Sequence, residues 1–116
     1  MSRLADHHIE ELQQAAQEGY ATHNEDGSIV EEGEGTWRVG LVGATYADLV
    51  MAFGEPMESG DISTNFEWYI KFDDGTIATV YDYNMVAPCY NAMQWHVGGK
   101  VGHAATLVAS AILRAV

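Results

Sequence analysis

Basic residues are scarce in this chain. Five lysines and arginines stand against 17 aspartates and glutamates, a formal net charge of −12. A field of that sign repels nucleic acid and anionic membranes and attracts basic surfaces, so no direct nucleic-acid partner is expected. The same surplus also serves solubility alone. Cysteine is nearly absent: Cys89 stands alone, which excludes an internal disulfide. Nothing in its spacing suggests a metal site, and it reads as a small apolar residue suited to a reducing, cytoplasmic interior. No stretch reaches the roughly 20 apolar residues of a membrane span. The most apolar segment, 104–116, is shorter than that and is interrupted by Arg114. The start, MSRLADHHIEELQQ, lacks the apolar core of a signal peptide. A soluble, unsecreted protein with no membrane partner is the expectation.

Reaction machinery is missing as well. There is no HExxH, CxxC, GxxxxGK[ST] or GxSxG pattern. His7 and His8 are adjacent and would diverge by about 100° on a helix, which does not make a ligand pair. His96 is either a strand histidine bonded to a neighbour or a general base beside the hairpin acids. Gly98-Gly99-Lys100 before a helix hints at an anion site but serves equally well as a turn before a helix. The adjacent carboxylate pairs Glu31-Glu32 and Asp73-Asp74 fall in turns, where such neighbours face water. Acid–base work would require a shaped cleft to shift their pKa values. No catalytic residue, metal or cofactor is therefore assigned.

What the chain does contain is enough for one folded domain. It has 116 residues, 47% of them hydrophobic. Leu4, His8 and Leu12 give residues 3–18 a weak apolar stripe, read as a peripheral helix ending at Gly19. Residues 20–36 read as a loop with the acidic cluster Glu31, Glu32 and Glu34, either a solvated face or an interaction surface. Residues 37–42 are strand-like, with Gly40 marking a possible bulge. Thr45 and Asp48 have capping-box spacing at the start of a helix over 45–53, which Gly54 and Pro56 stop. A polar loop with Glu58 and Asp61 follows. Phe66, Trp68, Ile70 and Phe72 then alternate with Glu67, Tyr69 and Lys71, the period of a half-buried strand. Asp73-Asp74-Gly75 turns the chain into a return strand over 76–83. Residues 93–97 give a further strand. The last helix, 101–115, carries a broad apolar face of Leu107, Val108, Ala111, Ile112 and Ala115. Outward Tyr69 beside Glu67, with Asp82 on the adjacent strand, suggests a protein-binding face, since interfaces favour aromatic anchors.

Two resemblances rest on these residues. Leu49, Phe53, Gly54, Pro56, Trp68, Phe72 and Gly75 resemble the half-repeat of β-lactamase inhibitor protein and of the SmpA/OmlA outer-membrane lipoproteins. This chain lacks their second repeat and lipoprotein signal, so the periplasmic function does not carry over. A longer pattern spans 45–99: Phe53-Gly54-Glu55-Pro56, Glu67-Trp68, Phe72, Asp74-Gly75-Thr76, Ala78-Thr79-Val80-Tyr81-Asp82-Tyr83 and Trp95-His96-Val97-Gly98-Gly99. It is similar to that of small proteins of bacteriophages and mobile elements. The resemblance implies a phage-type accessory protein in a bacterial host, and no particular activity. Small acidic proteins of that setting include anti-CRISPR proteins and other host-defence antagonists, some of which mimic DNA.

The expected fold is α+β: an antiparallel sheet of three to four strands, packed on one face by two helices, with a peripheral N-terminal helix. The expected function is non-enzymatic binding to a basic protein surface through Glu31, Glu32, Glu34, Glu55, Glu58, Asp61, Glu67, Tyr69, Asp73, Asp74 and Asp82. Two alternatives accompany it. One is a small-ligand (nucleotide-like) binder or minor enzyme, with a pocket between the sheet and the last helix and with His96 and Tyr81 at its mouth. The other is a structural protein that forms a homodimer through the C-terminal helix.

Overall fold

The computed structural model describes residues 19–58, 66–82 and 94–116. The expected helix over 3–18, Asp61 and Cys89 lie outside them. In chain order the elements are β1 (Tyr20–Thr22), α1 (Ile29–Glu32), β2 (Trp37–Gly43), α2 (Tyr46–Phe53), β3 (Met57–Glu58), β4 (Phe66–Phe72), β5 (Ile77–Tyr81), β6 (Gln94–Gly99) and α3 (His103–Ala115). The α+β class and the antiparallel sheet are as expected, but the described sheet has six strands, not three or four. Its order is β1-β4-β5-β6-β2, with β3 also paired to β4. The two extra strands fall in segments read as loops. They are three and two residues long, too short to show a period. Their pairing comes from β4: Tyr20, Ala21 and Thr22 lie along Phe72, Lys71 and Ile70, and Met57 and Glu58 along Glu67 and Phe66.

Helix α2 starts on the expected capping box. The Asp48 N–H donates to Thr45 Oγ1 at 3.1 Å, and the Thr45 N–H donates to Asp48 Oδ2 at 3.1 Å. It ends at Gly54, whose φ of 79° is left-handed and favours glycine. A side chain there would also meet Asn24 Nδ2 at 2.7 Å. The carbonyls at this helix end need partners from outside the helix. Trp68 Nε1 donates to the Gly54 carbonyl (2.7 Å), and Asn24 Nδ2 donates to those of Phe53 (3.1 Å) and Glu55 (3.0 Å). One end of α2 is thereby tied to β4 and to the segment after β1.

The two longer helices cover the same face of the sheet. Phe66, Trp68, Ile70 and Phe72 of β4, Ala78 and Val80 of β5, Trp95 and Val97 of β6 and Val42 of β2 form one core with Leu49, Ala52 and Phe53 of α2. Helix α3 adds Ala104, Leu107, Val108, Ala111 and Ile112. Its approach is close because small residues face it. A Cβ at Gly99 would lie 2.8 Å from Ala104 Cβ, and one at Gly40 2.9 Å from Ala105 Cβ. The expected irregularity in β2 is present as a register shift between Arg38 and Gly40 against β6. The broad apolar face of α3 lies on the sheet, so it is not available for pairing with a second copy of the folded domain.

Candidate protein-binding face

Alternation along β4 sends Glu67, Tyr69 and Lys71 to the face opposite α2 and α3. Tyr69 pairs with Thr79 on β5, and Tyr81 pairs with His96 on β6, so these residues share the helix-free face. The expected pocket between sheet and last helix, with His96 and Tyr81 at its mouth, is corrected by this register. It is Val80 and Val97 that face the helices, whereas Tyr81 and His96 stack on each other on the other side, centroids 5.5 Å apart. Burial, with a smaller contribution from Arg38, holds the His96 pKa below its ordinary value.

The segment 23–36 folds over part of this face. Its single helical turn, α1, contacts β4. Ile29 and Gly33 are buried. A Cβ at Gly33 would lie 2.3 Å from the Tyr69 ring, so the backbone rests directly on the tyrosine. At one side Lys71 Nζ donates to Glu32 Oε1 at 2.9 Å in an exposed ion pair. At the other the Tyr69 hydroxyl donates to Glu67 Oε2 at 2.8 Å. Burial first, then the Glu67 hydrogen bond and the charges of Glu67 and Glu34, push the Tyr69 pKa up to about 12. Glu34, Glu67 and Tyr69 therefore form one electrostatic neighbourhood, with Glu31 and Glu32 exposed on the same turn.

This neighbourhood has a testable alkaline signature. The folded state holds the Tyr69 proton more tightly than the unfolded chain, whose tyrosines titrate near 10. Tyr69 therefore supports folding fully below about pH 10, and that support is lost as pH rises through about 12. In a titration followed by phenolate absorbance, one tyrosine should ionise late in the native protein, and Tyr69→Phe should remove that late step. A native titration unchanged by Tyr69→Phe would contradict the placement.

The other residues singled out from sequence divide into groups. Glu55 and Glu58 are exposed at β3, on the outer edge of β4. The Glu55 carbonyl is 3.0 Å from His23 Nε2. Asp73 and Asp74 are exposed at the β4–β5 turn, at the end of β4 away from Glu67. Asp74 is 3.7 Å from His103, and the side-chain and backbone hydrogen bonds of Thr76 hold its pKa below the ordinary value. Asp82 does not share a face with Tyr69. It is buried and accepts from the Phe66 N–H at 2.9 Å, on the helix side of the sheet. The reason is parity: Asp82 follows Val80 by two residues, and Val80 pairs with Trp68.

Two acids went unnoticed in the sequence. Glu25 accepts from the Thr22 hydroxyl (2.5 Å) and the Thr22 N–H (2.8 Å), and the hydroxyl bond is the main cause of its lowered pKa. Asp26 Oδ1 accepts from the Ser28 hydroxyl and N–H, which likewise lowers its pKa. Both precede α1 and extend its acidic run; residues 24–27 were legible only as a turn.

Apart from Asp48 on α2 and the buried Asp82, the described acids gather toward one side of the sheet. Glu25, Asp26, Glu31, Glu32, Glu34, Glu55, Glu58, Glu67, Asp73 and Asp74 all sit on β3, β4 or the segments attached to β1, β3 and β4. Residues 35–47 and 94–116, which build β2, β6 and α3, contain no aspartate or glutamate. They carry Arg38 and Lys100, and also Arg114, whose guanidinium lies 5.7 Å from the Tyr20 ring centroid.

No family model, curated protein or solved structure matches this chain. Among the described residues no group of three or more histidines, cysteines or carboxylates is arranged to hold a metal ion. No helix among them is long and apolar enough to cross a membrane.

Proposed function

We propose that this is a non-enzymatic binding protein whose carboxylate-rich half docks on a basic protein surface. The partner class that fits best is a nucleic-acid-handling complex of a bacterial host, including a defence complex, because such proteins present cationic grooves shaped for phosphates. The polarised placement of carboxylates carries this reading. Among the described residues, exposed acids surround α1 and the outer edge of β4, while β2, β6 and α3 themselves carry none and only Asp74, beside His103, reaches the start of α3. A one-sided field orients an incoming cationic partner as well as attracting it. Tyr69, braced by Glu67 and covered by Gly33, is not the outward aromatic anchor expected from the sequence; it seats the acidic turn α1 on the sheet and so orders the carboxylates around it. The phage and mobile-element pattern of residues 45–99 supports an accessory, host-antagonist role in bacterial cytoplasm, with DNA mimicry as its form.

The test combines salt and charge reversal. Binding to a partner captured from bacterial lysate should weaken sharply as salt rises from about 50 mM to about 500 mM, where screening shortens the reach of surface charge. The combined variant Glu31→Lys/Glu32→Lys/Glu34→Lys should lower affinity at low salt by about tenfold or more, mainly through slower association. Its circular dichroism should stay native, since all three side chains are exposed. Capture that is indifferent to salt, or that survives the triple reversal, would overturn the reading.

A further inference from the structure

The two edges of the described sheet are finished differently. On one side, the outer edge of β4 is covered by β1 and β3 and bordered by acids. On the other, β2 is the last strand, and among the described residues no strand pairs with its outer edge. An open edge offers backbone donors and acceptors to another strand, and proteins usually blunt it with charge or covering elements. Here the only charged residue of β2 is Arg38, and the strand exposes large apolar side chains, Trp37 at 58% and Leu41 at 47%. The bulge at Val39 interrupts the first half of the strand and leaves residues 40–43 in regular register with β6.

We infer that β2 is a self-association edge, at which a second copy of this chain adds antiparallel to extend the sheet across a twofold axis. Charge decides the occupant. Two chains of net charge −12 repel, and the repulsion is least where no carboxylate lies near the contact. Among the described residues β2, β6 and α3 themselves carry none and this side holds Arg38 and Lys100, while Asp48, in the capping box that follows β2, and Asp74, beside His103, lie at its borders. A basic foreign segment would instead be drawn to the opposite, acidic edge. A twofold perpendicular to the sheet keeps each residue on its own face. With the axis at Leu41, that side chain faces its own counterpart, Gly40 lies opposite Val42 and Val39 opposite Gly43. The Leu41 pair is then an apolar cross-strand contact of the kind that stabilises sheets, with the glycines beside it letting the two strands approach, and the acidic halves point to opposite ends of the dimer. The inference does not rest on the proposed function. If both hold, the dimer presents two acidic faces and binds a repeated basic target with avidity.

Sedimentation of the full chain from about 1 μM to about 1 mM tests it. The mass should rise toward twice 12.7 kDa with concentration. Added salt should strengthen the dimer by screening repulsion, whereas it weakens docking to a basic partner, so the two proposals fail separately. Leu41→Lys should raise the dimer dissociation constant at least tenfold, although it lowers the net negative charge and would favour association if overall charge alone decided. Its thermal unfolding should remain cooperative, because Leu41 is exposed. Leu113→Lys, exposed on α3, should leave the mass unchanged. A monomer mass at every concentration in high salt would overturn the inference. So would a folded Leu41→Lys protein that dimerises as tightly as the parent chain.

Discussion

Replacing Trp68 with alanine should destabilise the domain by about 3–5 kcal/mol, a large part of the roughly 5–15 kcal/mol that holds a domain of this size folded. The indole is fully buried at the centre of the core. It meets Trp95 edge-on at 5.5 Å and Tyr46 at 6.0 Å, so its loss opens a cavity lined by rings that cannot collapse freely. It also supplies the hydrogen bond that satisfies the Gly54 carbonyl at the end of α2. Trp68→Ala therefore removes packing and unties a helix end together. Trp68→Phe separates the two: most of the packing remains and the N–H is lost, at about 1 kcal/mol for the hydrogen bond plus a smaller packing loss. Urea denaturation followed by far-ultraviolet circular dichroism measures both. A Trp68→Ala loss below about 1 kcal/mol would mean that the ring is not the keystone of the core.

Replacing Asp82 with alanine should cost about 2–3 kcal/mol, the range for a hydrogen bond to a charged group whose loss strands a buried donor. Its carboxylate receives the Phe66 N–H where β4 begins, in a place closed to water. Asp82→Asn keeps an acceptor oxygen and should lose distinctly less. Neither variant should alter partner binding once the fraction folded is taken into account, in contrast to the reversals at Glu31, Glu32 and Glu34. If Asp82→Ala weakened binding and left the unfolding midpoint unmoved, the carboxylate would have to lie on the interaction face after all.

The contrast between Asp82 and Glu67 shows what kind of information a sequence carries. Both are acids in or beside strands of the same hairpin. The period of β4 placed Glu67 and Tyr69 opposite the Phe66–Trp68–Ile70–Phe72 face without any structure. The face of Asp82 depended on how β5 pairs with β4, because β5 is buried on both sides: Ala78, Thr79 and Val80 are all buried. A strand buried on both faces loses the polar alternation that reveals its orientation. The same gap misplaced His96 and Tyr81, whose side of the sheet follows from the Val80–Val97 register. The loop over 20–36 was misjudged for a related reason. Ile29 and Thr22 are its buried anchors, and a lone buried residue in a polar run has no pattern to announce it.

Local chemistry by itself determined the capping box at Thr45 and Asp48, the stop at Gly54, the Asp-Gly turn, the alternating strand β4, the apolar face of α3 and the excess of acid. Each depends on residues within a few positions of one another, where backbone sterics and side-chain spacing act directly. Tertiary structure alone decided that β1 and β3 join the sheet, that α1 lies on Tyr69, and that most of the described carboxylates gather toward one side while no described strand pairs with the outer edge of β2. Those outcomes join residues far apart in the chain, such as Tyr20 with Phe72 and Leu41 with His96. Their energy comes from burial and pairing, which no local pattern encodes.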